Sequence, residues 1–225
     1  MVCFSALVIL STIATTLATP VKRDVELERF VFRRNNSTDL SRRGNPTYNQ
    51  DYVAGGDVIF TPSGAGTFEV QWDAPTAADD FVVGRGWSTG GVSPITFSGN
   101  FGAGSGTGLL SVYGWSTNPL VEYYVVEDSL NPPSFGTLKG SFTSDGSTYT
   151  VYENTRVNEP SIEGVSTFNQ YISVRSSKRS SGTVTVDNHF NKWGSLGMSL
   201  GSLSYQVIAV EGWGGEGIAT QTVSN

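Results

Sequence analysis

Two glutamates, Glu122 and Glu211, stand in strand-like runs that are otherwise aliphatic and aromatic. In Leu120-Val121-Glu122-Tyr123-Tyr124-Val125-Val126-Glu127, six of eight residues are aliphatic or aromatic, the composition of a sheet strand. Strand side chains alternate, so Glu122 and Tyr124 share one face while Val121, Tyr123 and Val125 share the other. Glu211 likewise has the parity of Tyr205, Val207 and Ala209 in Ser204-Tyr205-Gln206-Val207-Ile208-Ala209-Val210-Glu211-Gly212-Trp213. Burying a carboxylate costs several kcal/mol unless it is paired or solvated, so a strand that carries one inward usually faces a wet cleft. Two such carboxyl groups are what glycoside hydrolysis requires: one protonates the leaving oxygen, and the other attacks the anomeric carbon or activates water. Neighbouring tyrosines offer flat faces for sugar rings and hydroxyls that hold a carboxylate in place. Parity alone leaves open the alternative of two solvated glutamates on a polar sheet face.

The elements that must position these residues are strands. Period-two runs separated by Gly, Ser, Asn and Asp recur at 57–61, 66–72, 81–87, 93–97, 108–115, 121–126, 139–142, 147–156, 168–175, 182–186 and 201–210. So many short strands predict an all-β domain of two packed antiparallel sheets, a sandwich or jelly roll. One segment, 186–200, has a helical stripe of His189, Phe190, Trp193, Leu196 and Met198 after Asp187 or Asn188 as cap. The glycines at 99, 102, 104, 106 and 108 are followed by neither a helix nor a P-loop lysine and are assigned to a hairpin loop.

Composition divides the chain near Arg43. All 27 glycines and all five tryptophans lie from Gly44 onward. Residues 1–18 form an apolar run ending in Thr16-Leu17-Ala18, which predicts a signal peptide and is too short for a membrane anchor. Residues 19–43 are polar, with dibasic pairs Lys22-Arg23, Arg33-Arg34 and Arg42-Arg43, and predict a propeptide cut after Arg43; a retained disordered arm is the alternative. The sequons at Asn35 and Asn36 fall in that segment. Seven basic and four acidic residues give 1–43 a charge of +3, against −9 for seven and sixteen in 44–225. So acidic a domain disfavours nucleic acid and anionic membrane as partners and suits a neutral polymer. The single cysteine, Cys3, lies in the predicted signal, so 44–225 is expected to fold as one domain without disulfides.

Longer segments carry a resemblance. Ser111-Val112-Tyr113-Gly114-Trp115-Ser116-Thr117-Asn118-Pro119-Leu120-Val121-Glu122-Tyr123-Tyr124-Val125-Val126-Glu127 and Tyr205-Gln206-Val207-Ile208-Ala209-Val210-Glu211-Gly212-Trp213 resemble the two signature motifs of the family 11 endo-β-1,4-xylanases. Residues 81–87, 156–162, 168–175 and 188–191 resemble further family segments in family order. The resemblance covers about residues 54–225. It implies a secreted fungal enzyme that hydrolyses xylan with retention of configuration, on a β-jelly roll with one α-helix and a cleft across the curved inner sheet. It makes Glu122 the nucleophile and Glu211 the general acid/base, about 5–5.5 Å apart, with Glu211 held protonated by the charge of Glu122. It makes Tyr113, Tyr124 and Tyr205 cleft tyrosines, Gln170 a cleft glutamine, Arg156 a cleft-edge arginine and Pro160-Ser161-Ile162 the tip of a mobile thumb loop. Asp80 stands at a position where the family has asparagine or aspartate beside the acid/base, aspartate accompanying acidic pH optima.

The chain also departs from the family. Counting back from Gly55-Gly56-Asp57-Val58, a sugar-stacking tryptophan is replaced by Asp51, or by Tyr52 with a one-residue shift. Ile172 stands where tryptophan is common. Weaker or shifted sugar binding is expected, with one strand fewer at the sheet edge. A polysaccharide-binding or host-recognised protein with feeble hydrolysis therefore remains a second reading, and a β-glucanase a third; the Pro160 thumb argues for xylan. No cofactor and no metal is expected, since the only histidine, His189, lacks a cysteine or histidine partner in its segment. The protein is expected to be a monomer.

Overall fold

In the computed structural model, residues 43–225 are described; the expected signal peptide and all of the expected propeptide except Arg43 lie outside them. Thirteen strands and one helix follow in order: β1 (Tyr48–Val53), β2 (Asp57–Ser63), β3 (Thr67–Ala74), β4 (Phe81–Trp87), β5 (Ile95–Ala103), β6 (Thr107–Thr117), β7 (Val121–Leu130), β8 (Thr137–Ser144), β9 (Ser147–Glu159), β10 (Ser166–Arg175), β11 (Gly182–Val184), α1 (Val186–Ser195), β12 (Ser202–Trp213) and β13 (Gly215–Ser224). They form an eight-stranded sheet, β1-β4-β12-β6-β7-β10-β9-β8, and a five-stranded sheet, β11-β5-β13-β3-β2. Pairing is antiparallel as expected, with one exception: β7 and β10 run parallel.

Alternation divides the side chains of the larger sheet between two environments. Val121, Tyr123 and Val125 of β7, with Ile208 and Val210 of β12, join Phe68, Val70 and Trp72 in the core between the sheets. Tyr124 and Val126 of β7, with Tyr205, Val207 and Ala209 of β12, pack into a second apolar cluster on the opposite face. The carboxylate-bearing face is therefore not a polar sheet surface, because aromatic and aliphatic side chains surround both glutamates.

Three expectations need correction. The edge strand is present: β1 pairs with β4 along its whole length, from Tyr48 opposite Gly86 to Val53 opposite Phe81. The helix stops at Ser195 rather than running to 200, because Gly197 takes a positive φ of 80° and the Leu196 and Met198 amides turn back onto the Trp193 carbonyl, a glycine-ended termination. Its N-cap is Thr185, with no side-chain capping bond, and Asp187 lies in its first turn. The glycine run is mostly strand, with Gly99 and Gly102 in β5 and Gly108 in β6, so only the residues around Gly104 and Gly106 make the turn.

His189 is fully buried, edge-on to Tyr149 at 4.6 Å and to Phe142 at 5.0 Å, and neither ring nitrogen has a partner among the described residues. Burial pushes its imidazole down to about 3, against an opposing pull from Asp145 and with help from Arg175 and Arg179. A base whose folded pKa lies below its unfolded value binds protons preferentially in the unfolded chain. Its contribution to stability is therefore lost progressively as pH falls from about 6.5 toward 3. Urea unfolding of His189→Leu should show a pH-dependence smaller than that of the unsubstituted chain by about 3 kcal/mol between about pH 7 and pH 4. An unchanged difference would mean that the imidazole protonates within the fold.

Candidate active site

Glu122 sits at the floor of a cleft of about 920 Å³ whose lining includes Glu211, Asp80, Arg156, Gln170 and the thumb residues Pro160, Ser161 and Ile162. One cross-strand row sets its surroundings: Trp115 lies opposite Glu122 on β6, Gln170 opposite it on β10, and Asn154 opposite Gln170 on β9. Neighbours in register share a face, so the four side chains point into the cleft together. Glu122 Oε1 accepts from the Tyr113 hydroxyl at 2.7 Å and the Tyr124 hydroxyl at 3.0 Å. Its Oε2 accepts from Gln170 Nε2 at 2.7 Å. Both supports are supported in turn: Trp115 Nε1 donates to the Tyr113 oxygen at 2.8 Å, and Asn154 Nδ2 donates to Gln170 Oε1 at 2.8 Å. Burial pushes the Glu122 carboxyl up, and the bonds from Gln170, Tyr113 and Tyr124 pull it back toward the ionised form. Tyr113 and Tyr124 are held well above the usual tyrosine range by burial and then by the charge of Glu122, so both are neutral donors.

Glu211 sits on β12, one strand beyond β6, opposite Leu109 on one side and Val82 on the other. Its carboxyl is raised further than that of Glu122. Burial first, then Asp80, then Glu122 raise its carboxyl well above the ordinary glutamate value. The expected influence of Glu122 is thus present but ranks behind desolvation and behind Asp80. Asp80 itself is raised to about 6, by burial and then by Glu122, against the pull of Arg156 and a backbone bond from Phe81. Asp80 Oδ1 and Glu211 Oε2 are both buried without a hydrogen-bond partner among the described residues. Two neighbouring carboxyl groups in that condition favour sharing a proton over carrying two charges. The cleft thus holds one carboxyl group wrapped in three donors beside another that is raised further toward its acid form, an asymmetry that suits glycoside hydrolysis.

The remaining expected site residues lie around this centre. Tyr205 stacks on Tyr48, with centroids 5.2 Å apart and planes at 26°. Arg156 pairs with Glu159 at 3.4 Å, both side chains more than 40% exposed, which places it at the rim. Pro160 leads into a turn between β9 and β10, closed where Ser161 Oγ donates to the Gly164 carbonyl at 2.6 Å and accepts from the Glu163 amide at 3.0 Å. Register separates the two candidate positions for the absent tryptophan, both of which line the cleft. Tyr52 pairs with Val82, which pairs with Glu211, so Tyr52 is on the cleft face in the row of Glu211; Asp51 pairs with Val83, which faces the core. Sequence reasoning missed Trp115 and Asn154 as supports and Tyr48 as a cleft aromatic. Trp115 lay inside a quoted motif without a role, and the other two depend on register.

Comparison with known proteins decides the family. The family model described as Glycosyl hydrolases family 11 matches residues 44–222. The chain belongs to glycosyl hydrolase family 11. It is similar, at 64% identity over the full length of both chains, to a protein named ethylene-inducing xylanase 2 from Botryotinia fuckeliana. It is 58% identical, again over the full length of both, to endo-1,4-beta-xylanase 1 of Hypocrea jecorina. A solved structure described in a comparison of two major endo-1,4-beta-xylanases from Trichoderma reesei has 64% sequence identity and a TM-score of 0.78, covering 80% of this chain and 99% of its own. The all-β jelly roll with a single helix is thus the family 11 fold, and the chain is a glycoside hydrolase.

Proposed function

We propose that the protein is a secreted endo-1,4-β-xylanase that cleaves internal xylosidic bonds by double displacement, with Glu122 as nucleophile and Glu211 as acid and then base. The observation that carries this reading is the contrast between the two carboxyl groups: Glu122 receives three hydrogen bonds, whereas Glu211 is pushed strongly toward its protonated form. In the first step a Glu122 oxygen attacks the anomeric carbon while Glu211 gives its proton to the departing glycosidic oxygen. In the second, the Glu211 carboxylate takes a proton from water, the water oxygen attacks the same carbon, and Glu122 leaves as a carboxylate. Two inversions at one carbon retain configuration. The family membership, the relatives' printed names and the thumb turn favour xylan as substrate, and the apolar leader at 1–18 supports secretion.

Tyr48 and Tyr52 on the edge strand and Tyr205 beside them provide aromatic surface in the cleft in place of the absent family tryptophan. Tyr52→Ala should raise KM for xylan about tenfold, equivalent to about 1.4 kcal/mol of sugar stacking, with kcat changed less than about twofold. A fall in kcat at unchanged KM would place Tyr52 with the reacting groups rather than with the substrate chain. The assay for the function itself is reducing-sugar release from xylan and from β-glucan. Release from xylan alone is expected; equal release from β-glucan would favour the glucanase reading, and retention of xylan without release would favour a binding protein.

A further inference from the structure

On the face of the larger sheet turned away from the cleft, the side chain of Arg43 occupies a recess at the margin of the inter-sheet core. Its guanidinium carbon lies 5.0 Å from the centroid of Trp87. Its Nη1 donates to Gln206 Oε1 at 2.5 Å, and the same oxygen accepts from the Gly91 amide at 3.3 Å. Gln206 is fully buried, so its carbonyl oxygen is aimed at this recess and not at solvent. The absence of a side chain at Gly91 makes the room: a Cβ there would stand 2.4 Å from Arg43 Nη2. The backbone is fastened on both sides of the arginine, by Asn225 Nδ2 to the Arg43 carbonyl at 2.6 Å and by Trp87 Nε1 to the Gly44 carbonyl at 2.6 Å.

We propose that this recess is a binding site for an arginine side chain, filled in the intact chain by Arg43. Among the described residues, the groups that hold the guanidinium are an indole face and one amide oxygen, with no carboxylate. That combination suits a flat, weakly hydrated cation that stacks, and it suits a compact ammonium poorly, because an ammonium gives up strong hydration and finds too few acceptors. Buried polar atoms mark the recess as polar rather than as a gap in the core: Gln206 Nε2 and the Tyr123 hydroxyl are both buried there, close enough to interact with each other and for the charge of Arg43 to act on the phenol. A cut after Arg43, expected from the dibasic pair, would leave the recess open to an arginine presented by another peptide. The site is independent of that cut and of the xylanase reading.

The test uses the full-length unsubstituted and Arg43→Ala chains, each verified by mass as uncut, titrated by calorimetry with N-acetyl-arginine amide and with N-acetyl-lysine amide. A cooperative thermal unfolding transition like that of the unsubstituted chain shows that the variant is folded; Arg43→Gln provides the second background. One-site saturable binding of the arginine amide is expected in the variant and not in the unsubstituted chain. Binding at least about tenfold weaker is expected for the lysine amide, and for the arginine amide when Gly91→Ala is added. The proposal is overturned by absence of binding in the variants, by equal binding in the unsubstituted chain, by equal affinity for the lysine amide, or by indifference to Gly91→Ala.

Discussion

Glu122→Gln should reduce xylan hydrolysis by at least about 10⁴-fold, because it removes the proposed nucleophile. The loss should fall on kcat, with KM little changed. The substitution keeps size and shape, and the new carbonyl oxygen can accept from Tyr113 and Tyr124 as Oε1 does now. The new amide nitrogen faces Gln170, and an amide flip of Gln170 followed by one of Asn154 restores donor to acceptor along the row. The fold should therefore survive, and thermal unfolding of the variant should match or exceed that of the parent because a buried charge has gone. Removing that charge also removes an influence that raises both Asp80 and Glu211, so both should titrate lower in the variant by carboxyl NMR. Residual activity within about a hundredfold of the parent would assign the nucleophile elsewhere.

The second large effect concerns pH. Asp80 is raised to about 6, so below that pH it is predominantly protonated and able to donate to its neighbour Glu211. A donated bond stabilises the Glu211 carboxylate that forms as its proton leaves, which makes Glu211 a better acid. Above about pH 6 Asp80 becomes a second negative charge, which raises Glu211 further and holds its proton back. The alkaline limb of the activity profile should therefore follow Asp80 rather than Glu211. In Asp80→Asn the side-chain amide donates at every pH and carries no charge, so the alkaline limb should move up by about one to two pH units and the optimum with it. A profile from pH 3 to pH 8 that keeps its limb near 6 in the variant would remove Asp80 from this role.

Which strands are legible in the sequence depends on where each signal resides. β7 and β12 were legible because both alternate apolar residues around one carboxylate, and their motifs named Glu122 and Glu211 directly. β1, with the sequence Tyr-Asn-Gln-Asp-Tyr-Val, and β13, which begins Gly-Glu-Gly, were not read as strands. Their residues are polar or small, and pairing with β4 on one hand and with β3 and β5 on the other makes them strands. That failure left the missing indole undecided between Asp51 and Tyr52, since a one-residue slip changes the face. The row from Trp115 through Glu122 and Gln170 to Asn154 was equally hidden, because it joins four strands through a parallel pairing that no local pattern encodes. The helix end was missed because the apolar stripe continues into Leu196 and Met198, which pack on the core from beyond the last turn.

In the proposed mechanism Glu122 attacks the sugar directly while Glu211 handles the proton. The most direct measurement is mass spectrometry of the full-length protein after reaction with a 2-deoxy-2-fluoro-xylobioside bearing a good leaving group, a substrate that forms the intermediate and releases it slowly. One added fluoroxylobiosyl unit is expected, mapped to the peptide containing Glu122 and absent in Glu122→Gln. A protein that turns the substrate over with no covalent adduct, or an adduct on Glu211, would contradict that mechanism.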